Sequence, residues 1–465
     1  MDGSENKISK RQFLEWLGGG AALAGASLFA GCSSDKAAEA LNTAEKAALI
    51  RKKLGEMAYR LNKRNQDKVS LLGYGCMRFP TLTNGAKAGE IDEEMGQRLI
   101  DTAYAGGVNY YDTAYVYHGG KSEAFVGRAL KKYPRKSFYL ATKMPGRIVE
   151  SLDHAKRIFE EQLANLQTDY IDYYLLHNVN NMEKYRRVYE EYGVLDYLLE
   201  QKKQGRIRCL GWSFHGNSEL FDYMLSLPVD WDFVQIQLNY HDWELGPANN
   251  DAKHPVTAKG MYDKLAARNI QVTIMEPLLG GALASLPGGG NAILKEAAPQ
   301  RSVASWAFRF CGSLPNVLTT LSGMTYIEHL EDNLQTFAPF EPLSDGEHKT
   351  LQRALGVSDK AKRIPCTGCE YCMPCPFGVD IPGLFRHYNK CVVEAEMPQS
   401  SFDPNYVKAR NEYLGGYERS FDPSAQADRC IGCGACLRKC PQNINIPSEL
   451  ENIQHFTENI RRSRS

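Results

Sequence analysis

Eight short runs of β-branched and aromatic residues alternate with longer amphipathic stretches between residues 69 and 340, and that alternation predicts an α/β protein built as a (β/α)8 TIM barrel. Two dense cysteine runs beyond residue 365 predict a second, small and mainly α-helical iron–sulfur domain. A chain of 465 residues has room for both. The expected boundaries are 1–32 for a signal segment, 33–56 for a linker, 57–340 for the barrel, 341–365 for a connecting helix and 366–465 for the cluster domain.

At the N-terminus, Ser9-Lys10-Arg11-Gln12-Phe13-Leu14 precedes a Gly- and Ala-rich apolar stretch from Trp16 to Ala30, too short and too weakly hydrophobic for a transmembrane helix. It resembles a twin-arginine signal with Lys in place of the first Arg. Leu28-Phe29-Ala30-Gly31-Cys32 resembles a lipoprotein box, with Cys32 as the lipidated residue. The resemblance implies export to the periplasmic side of the cytoplasmic membrane and attachment there through the signal or its lipid. An uncleaved helix on a cytoplasmic protein is the alternative. Export in the folded state suits iron–sulfur clusters, which are assembled in the reducing cytoplasm. The charged, Ala-rich stretch that follows, to about Gly55, reads as a spacer with little to bury.

The predicted strands are 69–73, 108–113, 138–142, 171–176, 208–212, 233–238, 271–275 and 317–321, with helices such as 122–133 and 152–166 between them. An open doubly wound sheet would carry a Gly-x-Gly-x-x-Gly turn after its first strand. Leu72-Gly73-Tyr74-Gly75-Cys76 does not supply one. Pro339, Pro342 and Asp345-Gly346 punctuate the barrel exit, and short helices are expected over 381–388 and 404–414.

Barrel chemistry sits at the C-terminal ends of strands. Asp112 ends the second predicted strand, Tyr117 follows five residues later, and Lys143 and His177 stand just past the third and fourth. Singly, each has an ordinary explanation, an Asp as a helix cap or a His as a rim residue. Together they match the tetrad of the aldo-keto reductases, which the chain resembles from about Ala58 to Ile453. It is most similar to a branch with a C-terminal ferredoxin-like extension carrying two clusters, through Met275-Glu276-Pro277 and the sequences 367–376 and 430–441. The resemblance implies hydride transfer between a nicotinamide cofactor, NAD(P), and a small carbonyl or alcohol substrate. Tyr117 would be the general acid/base, Lys143 would tune its pKa downward, Asp112 would anchor the lysine, and His177 would orient the carbonyl oxygen.

The same resemblance implies cofactor contacts from Ser213, Gln235, Met275, Ser322 and Asn333. Phe214 follows Ser213 where the family has Asn, and Met275 stands where it stacks Tyr. Ser322, Gly323, Met324 and His329 occupy the stretch that usually brings Lys or Arg to a 2′-phosphate, which argues against NADP. Gly280-Gly281 reads either as a close approach to a pyrophosphate or as a simple turn.

The cysteine runs are Cys366-x2-Cys369-x2-Cys372-x2-Cys375-Pro376 and Cys430-x2-Cys433-x2-Cys436-x3-Cys440-Pro441. The second is the bacterial ferredoxin run, in which the cysteine before proline ligates the neighbouring cluster. Two [4Fe-4S] clusters are expected, one on Cys366, Cys369, Cys372 and Cys440, the other on Cys430, Cys433, Cys436 and Cys375. The first run has two residues rather than three before its Cys-Pro, a departure that bears on this exchange. Zinc is the competing ligand, though its usual pair of widely separated doublets is not this layout. Cys76, Cys209, Cys311 and Cys391 read as buried free thiols.

Lys plus Arg and Asp plus Glu both number 55, and no basic stripe interleaves with aromatics, so nucleic acid is excluded as a partner. Three functions compete. One is an exported nicotinamide-dependent oxidoreductase, another an electron-transfer protein on a non-catalytic barrel, and the third a barrel using flavin or another redox cofactor to feed the clusters. Hydride carries two electrons and a cubane one, so direct traffic between them would call for a converter such as flavin, for which no motif is visible. A redox partner protein is the expected companion of the clusters.

Overall fold

The computed structural model describes residues 54–84, 87–245, 255–358, 363–394, 397–398 and 405–462. The signal segment, nearly all of the linker and Cys32 lie outside the described residues. Among the described residues no helix is long and apolar enough to cross a membrane.

An antiparallel hairpin, β1 (Tyr59–Leu61) and β2 (Lys68–Ser70), comes first. It covers the end of the barrel where strands begin, Asn62 donating to the Tyr173 hydroxyl (3.0 Å) and Gln271 accepting from the Lys63 amide (2.7 Å). Eight parallel strands then close in the order β10-β3-β4-β5-β6-β7-β8-β9. They are β3 (Leu72–Gly75), β4 (Tyr110–Asp112), β5 (Tyr139–Met144), β6 (Ile171–Val179), β7 (Ile207–Phe214), β8 (Phe233–Gln237), β9 (Gln271–Met275) and β10 (Val317–Ser322). The first predicted strand, 69–73, divides into β2 and β3, because the Leu71 amide turns aside to bond Ala58.

Two apolar layers hold the barrel. Tyr110, Tyr173, Leu175, Phe233 and Leu318 fill its interior, while outward residues such as Leu176, Trp212 and Val234 pack under the surrounding helices. A separate core of Leu384, Phe385, Tyr413, Tyr417 and Ile453 joins helices Ile381–Val393, Tyr406–Ser420 and Ile446–Arg462 of the cluster domain. The first two run past their predicted ends, since Cys391 and Tyr417 continue the buried stripe. Cys76, Cys209, Cys311 and Cys391 are buried thiols.

The cluster domain docks on the barrel mouth. Arg363 donates to the Ala282 carbonyl (2.7 Å), and Arg78, just past β3, grips the carbonyls of Thr367 and Gly368.

Candidate active site

Asp112 is the last residue of β4, Lys143 lies near the end of β5, and Tyr117 opens a short 3-10 turn, Tyr117–Gly120. His177 stands where the pairing of β6 with β7 slips, between Leu176 and Val179, an irregularity of the kind that re-aims side chains at barrel rims. The Lys143 ammonium donates to Asp112 Oδ1 (2.5 Å) and to the Thr113 carbonyl (2.7 Å), 5.2 Å from the centre of the Tyr117 ring. Asp112 Oδ2 accepts from the Gln235 amide (3.1 Å). The His177 ring meets Tyr117 edge-on, with centres 6.0 Å apart.

A second layer fixes this group. Gln162 donates to the Lys143 carbonyl (3.0 Å) and to Glu123 (2.8 Å), and Glu123 accepts from Thr142 (2.5 Å). The chain of bonds locks the strand end that presents Lys143. Nothing in the local sequence marks these residues, because they meet only once the helices close on the barrel.

Burial raises the Tyr117 phenol well above its ordinary value, and the nearby Tyr371 and Asp112 raise it further. These effects outweigh any downward pull of Lys143, so the net direction is upward. Tyr117 holds its proton across the neutral range. Burial, and then the Lys143 charge, lowers His177 well below the usual histidine range, so its ring is neutral. Burial alone lowers His215 to about 4.

One cavity of about 420 Å³ unites Asp112, Tyr117 and His177 with Ser213, Gln235, Met275, Ser322 and Asn333. Asn333 donates to Ser322 Oγ (2.9 Å), and Ser213 Oγ accepts from the Asn178 amide (2.8 Å). Glu328 and Asp332 line the cavity near Asn333, and Arg78, engaged with Thr367, is the one Lys or Arg among the described residues of its wall. Gly281 has open space where a side chain would stand, room for a phosphate to approach the backbone. These residues fit a nicotinamide dinucleotide. Gly280 has a different reason to be glycine: a Cβ there would stand 2.3 Å from Thr367 Cα, so it admits the cluster domain.

That domain supplies part of the cavity. Thr367, Cys369, Tyr371, Pro441 and Gln442 line it alongside the barrel residues. Sequence reasoning missed Tyr371, Arg78 and Gln442 as site residues; a one-dimensional motif gives no signal of which face meets the barrel.

Behind this wall, Cys366, Cys369, Cys372 and Cys440 ring an inner cavity, and Cys375, Cys430, Cys433 and Cys436 ring an outer one that also touches Cys372. Among the described residues no three His, Cys, Asp or Glu side chains converge to hold a single ion. Thiols spread around a cavity suit a cubane better than zinc.

The barrel, its strand-end tetrad and the thiol rings define an oxidoreductase with an iron–sulfur domain. The aldo/keto reductase family model matches residues 71–355, and a 4Fe-4S dicluster domain model matches residues 365–444. The chain belongs to the aldo/keto reductase family. It is 32% identical over 154 residues to "Probable aldo-keto reductase 1" of Glycine max, a match over 31% of this chain and 42% of that relative, less than half its length. It is 26% identical over 303 residues to "Uncharacterized oxidoreductase YqkF" of Bacillus subtilis, covering 61% of this chain and 92% of that one. Among solved structures, aldo-keto reductase AKR11C1 of Bacillus halodurans in its holo form matches with 25% identity and a TM-score of 0.50, over 64% of this chain and 96% of that chain.

Proposed function

We propose that the chain interconverts a small carbonyl compound and the corresponding alcohol by hydride transfer with a nicotinamide cofactor, Tyr117 serving as general acid/base, and that two [4Fe-4S] clusters occupy the thiol rings. The observation that carries this reading is the convergence of Tyr117, Asp112 and His177 on one cavity, with the Lys143 ammonium buried against Asp112 and beside the Tyr117 ring.

Bound NAD(H) supplies or accepts the hydride at the substrate carbon. Tyr117, which keeps its proton at neutral pH, gives that proton to the carbonyl oxygen as negative charge develops there, so hydride plus proton complete the alcohol. Neutral His177 donates an N–H to the same oxygen and orients it. Lys143, held by Asp112, places a cation beside the tyrosine and eases its passage through the charged form before it recovers a proton. Ser213 and Gln235 would hold the nicotinamide amide, Met275 would pack on the ring, and Ser322 with Asn333 would meet the far end of the dinucleotide. Cys366, Cys369, Cys372 and Cys440 would hold the inner cluster, Cys375, Cys430, Cys433 and Cys436 the outer, and the clusters give the domain capacity for single electrons to exchange with a partner protein.

The test is made on full-length protein purified without oxygen. About eight iron and eight sulfide per chain are expected, together with NADH-dependent reduction of small ketones that Tyr117→Phe abolishes at unchanged iron content. Four iron, stoichiometric zinc, or an active Tyr117→Phe protein would overturn the corresponding part of the reading. The reading extends to export, with Cys32 lipidated on the periplasmic side of the membrane. Cys32→Ser should then release the protein into the soluble fraction or block its processing, and a variant still membrane-bound with its signal intact would exclude the lipid anchor.

A further inference from the structure

Tyr371 lies between two cysteines of the first run, yet its side chain enters the catalytic cavity rather than the inner thiol ring. Its hydroxyl stands 3.4 Å from His177 Nε2, with the rings nearly perpendicular at 78°. The Arg147 guanidinium sits 4.8 Å from the centre of the Tyr371 ring, and Arg78 holds the backbone at Thr367 and Gly368. His177 is therefore in edge contact with two phenol rings, Tyr117 and Tyr371. Reduction of a simple ketone uses only the first.

A 3.4 Å contact is long for a hydrogen bond, and a ligand oxygen entering beside His177 would satisfy the Tyr371 hydroxyl better. A phenol both donates and accepts, so its complement is a hydroxyl or a second carbonyl rather than a methyl group. Tyr371 lines the same cavity as Tyr117 and His177, so a substrate with its reacting oxygen between those two would turn a substituent of the neighbouring carbon toward the Tyr371 hydroxyl.

We propose that Tyr371, contributed by the iron–sulfur domain, is a substrate-contacting residue that binds an oxygen adjacent to the reacting carbonyl, so that α-hydroxycarbonyl compounds, and in the reverse direction vicinal diols, are the preferred substrate class. The inference rests on the hydride-transfer reading above.

Hydroxyacetone and butanone differ in an OH against a CH3 of similar size, and they test it on full-length, cluster-loaded protein with NADH. Wild type should favour hydroxyacetone in kcat/KM by about ten-fold or more, and Tyr371→Phe should cut that ratio by about ten-fold. Calorimetric titration of 1,2-propanediol into the NADH-saturated protein should show a matching loss of affinity in the variant. A ratio unchanged by Tyr371→Phe, even with both rates lower, would assign the residue a merely structural role and overturn the proposal. So would a wild-type enzyme that prefers butanone, whatever becomes of the variant. Wild type that reduces neither ketone nor any other small carbonyl with NADH would instead sink the hydride-transfer reading, and this inference with it.

Discussion

The side-chain amide of Gln442 donates a 2.9 Å hydrogen bond to Gln237 Oε1, joining the residue that follows the last Cys-Pro to the end of barrel strand β8 in a buried contact. Gln237 is itself held, its amide donating to Asp242 Oδ2 (2.7 Å). The pair sits beside a cavity that both domains line, so the bond fixes the position of a catalytic wall as well as the docking of a domain.

Gln237→Leu leaves the Gln442 and Asp242 partners short of a bond, a loss of about 1–3 kcal/mol. Gly280→Ala attacks the same interface by steric means. The new Cβ would meet the Thr367 backbone, at a residue whose φ of +65° already disfavours a side chain. Both variants should lower the midpoint of thermal unfolding, and iron should leave the protein at a lower temperature than in wild type. A Gly280→Ala protein with wild-type unfolding and iron retention would refute the tight docking.

Lys143→Met removes the cation and leaves the Asp112 charge buried without its partner, a penalty of about 3–5 kcal/mol in stability. Its kinetic signature lies in the direction of alcohol oxidation, where Tyr117 must accept a proton as phenolate. Loss of a nearby cation raises the phenol further, so the pH at which oxidation sets in should move upward. Initial rates across pH for both directions read this shift, and an unmoved profile would remove Lys143 from the proton chemistry.

His215 makes the site sensitive to acid. Burial lowers its ring from the ordinary 6.5 to about 4, so the unfolded chain takes up a proton that the folded chain refuses. The stability it contributes is fully present above about pH 6.5 and is lost as pH falls toward about 4. Urea midpoints measured across that window should fall less steeply for His215→Asn than for wild type.

Cofactor choice should follow the acidic end of the cavity. Glu328 and Asp332 would repel a 2′-phosphate and suit a ribose hydroxyl, and among the described residues no unengaged Lys or Arg stands in the wall to offset them. NADH should bind about ten-fold more tightly than NADPH in calorimetric titrations, and Glu328→Lys should narrow the gap. Equal affinities would show that these carboxylates do not reach the cofactor.

The tetrad was legible because each of its residues ends a strand or follows one closely, where an apolar run gives way to a single polar side chain in the linear sequence. The thiol rings were legible for a similar reason, since their ligands come from short fixed spacings. Tyr371, Arg78 and Gln442 were not, because their roles arise from two surfaces meeting and each looks like an ordinary polar residue in its own segment. Gly280 belongs with them, as only the docked Thr367 backbone explains the missing side chain. The net direction at Tyr117 was not legible, because burial and the Asp112 charge, which raise the phenol, come only from the folded barrel.

Cys369 faces two chambers at once, the inner thiol ring and the catalytic cavity. If a cluster fills the inner ring, as proposed, the loop bearing Cys369 and Tyr371 would wrap it, and assembly of the reaction chamber would be coupled to delivery of an inorganic cofactor. On the proposed reading, loss of the inner cluster to oxygen would disturb the catalytic wall as well as the thiol ring, because Cys369 belongs to both.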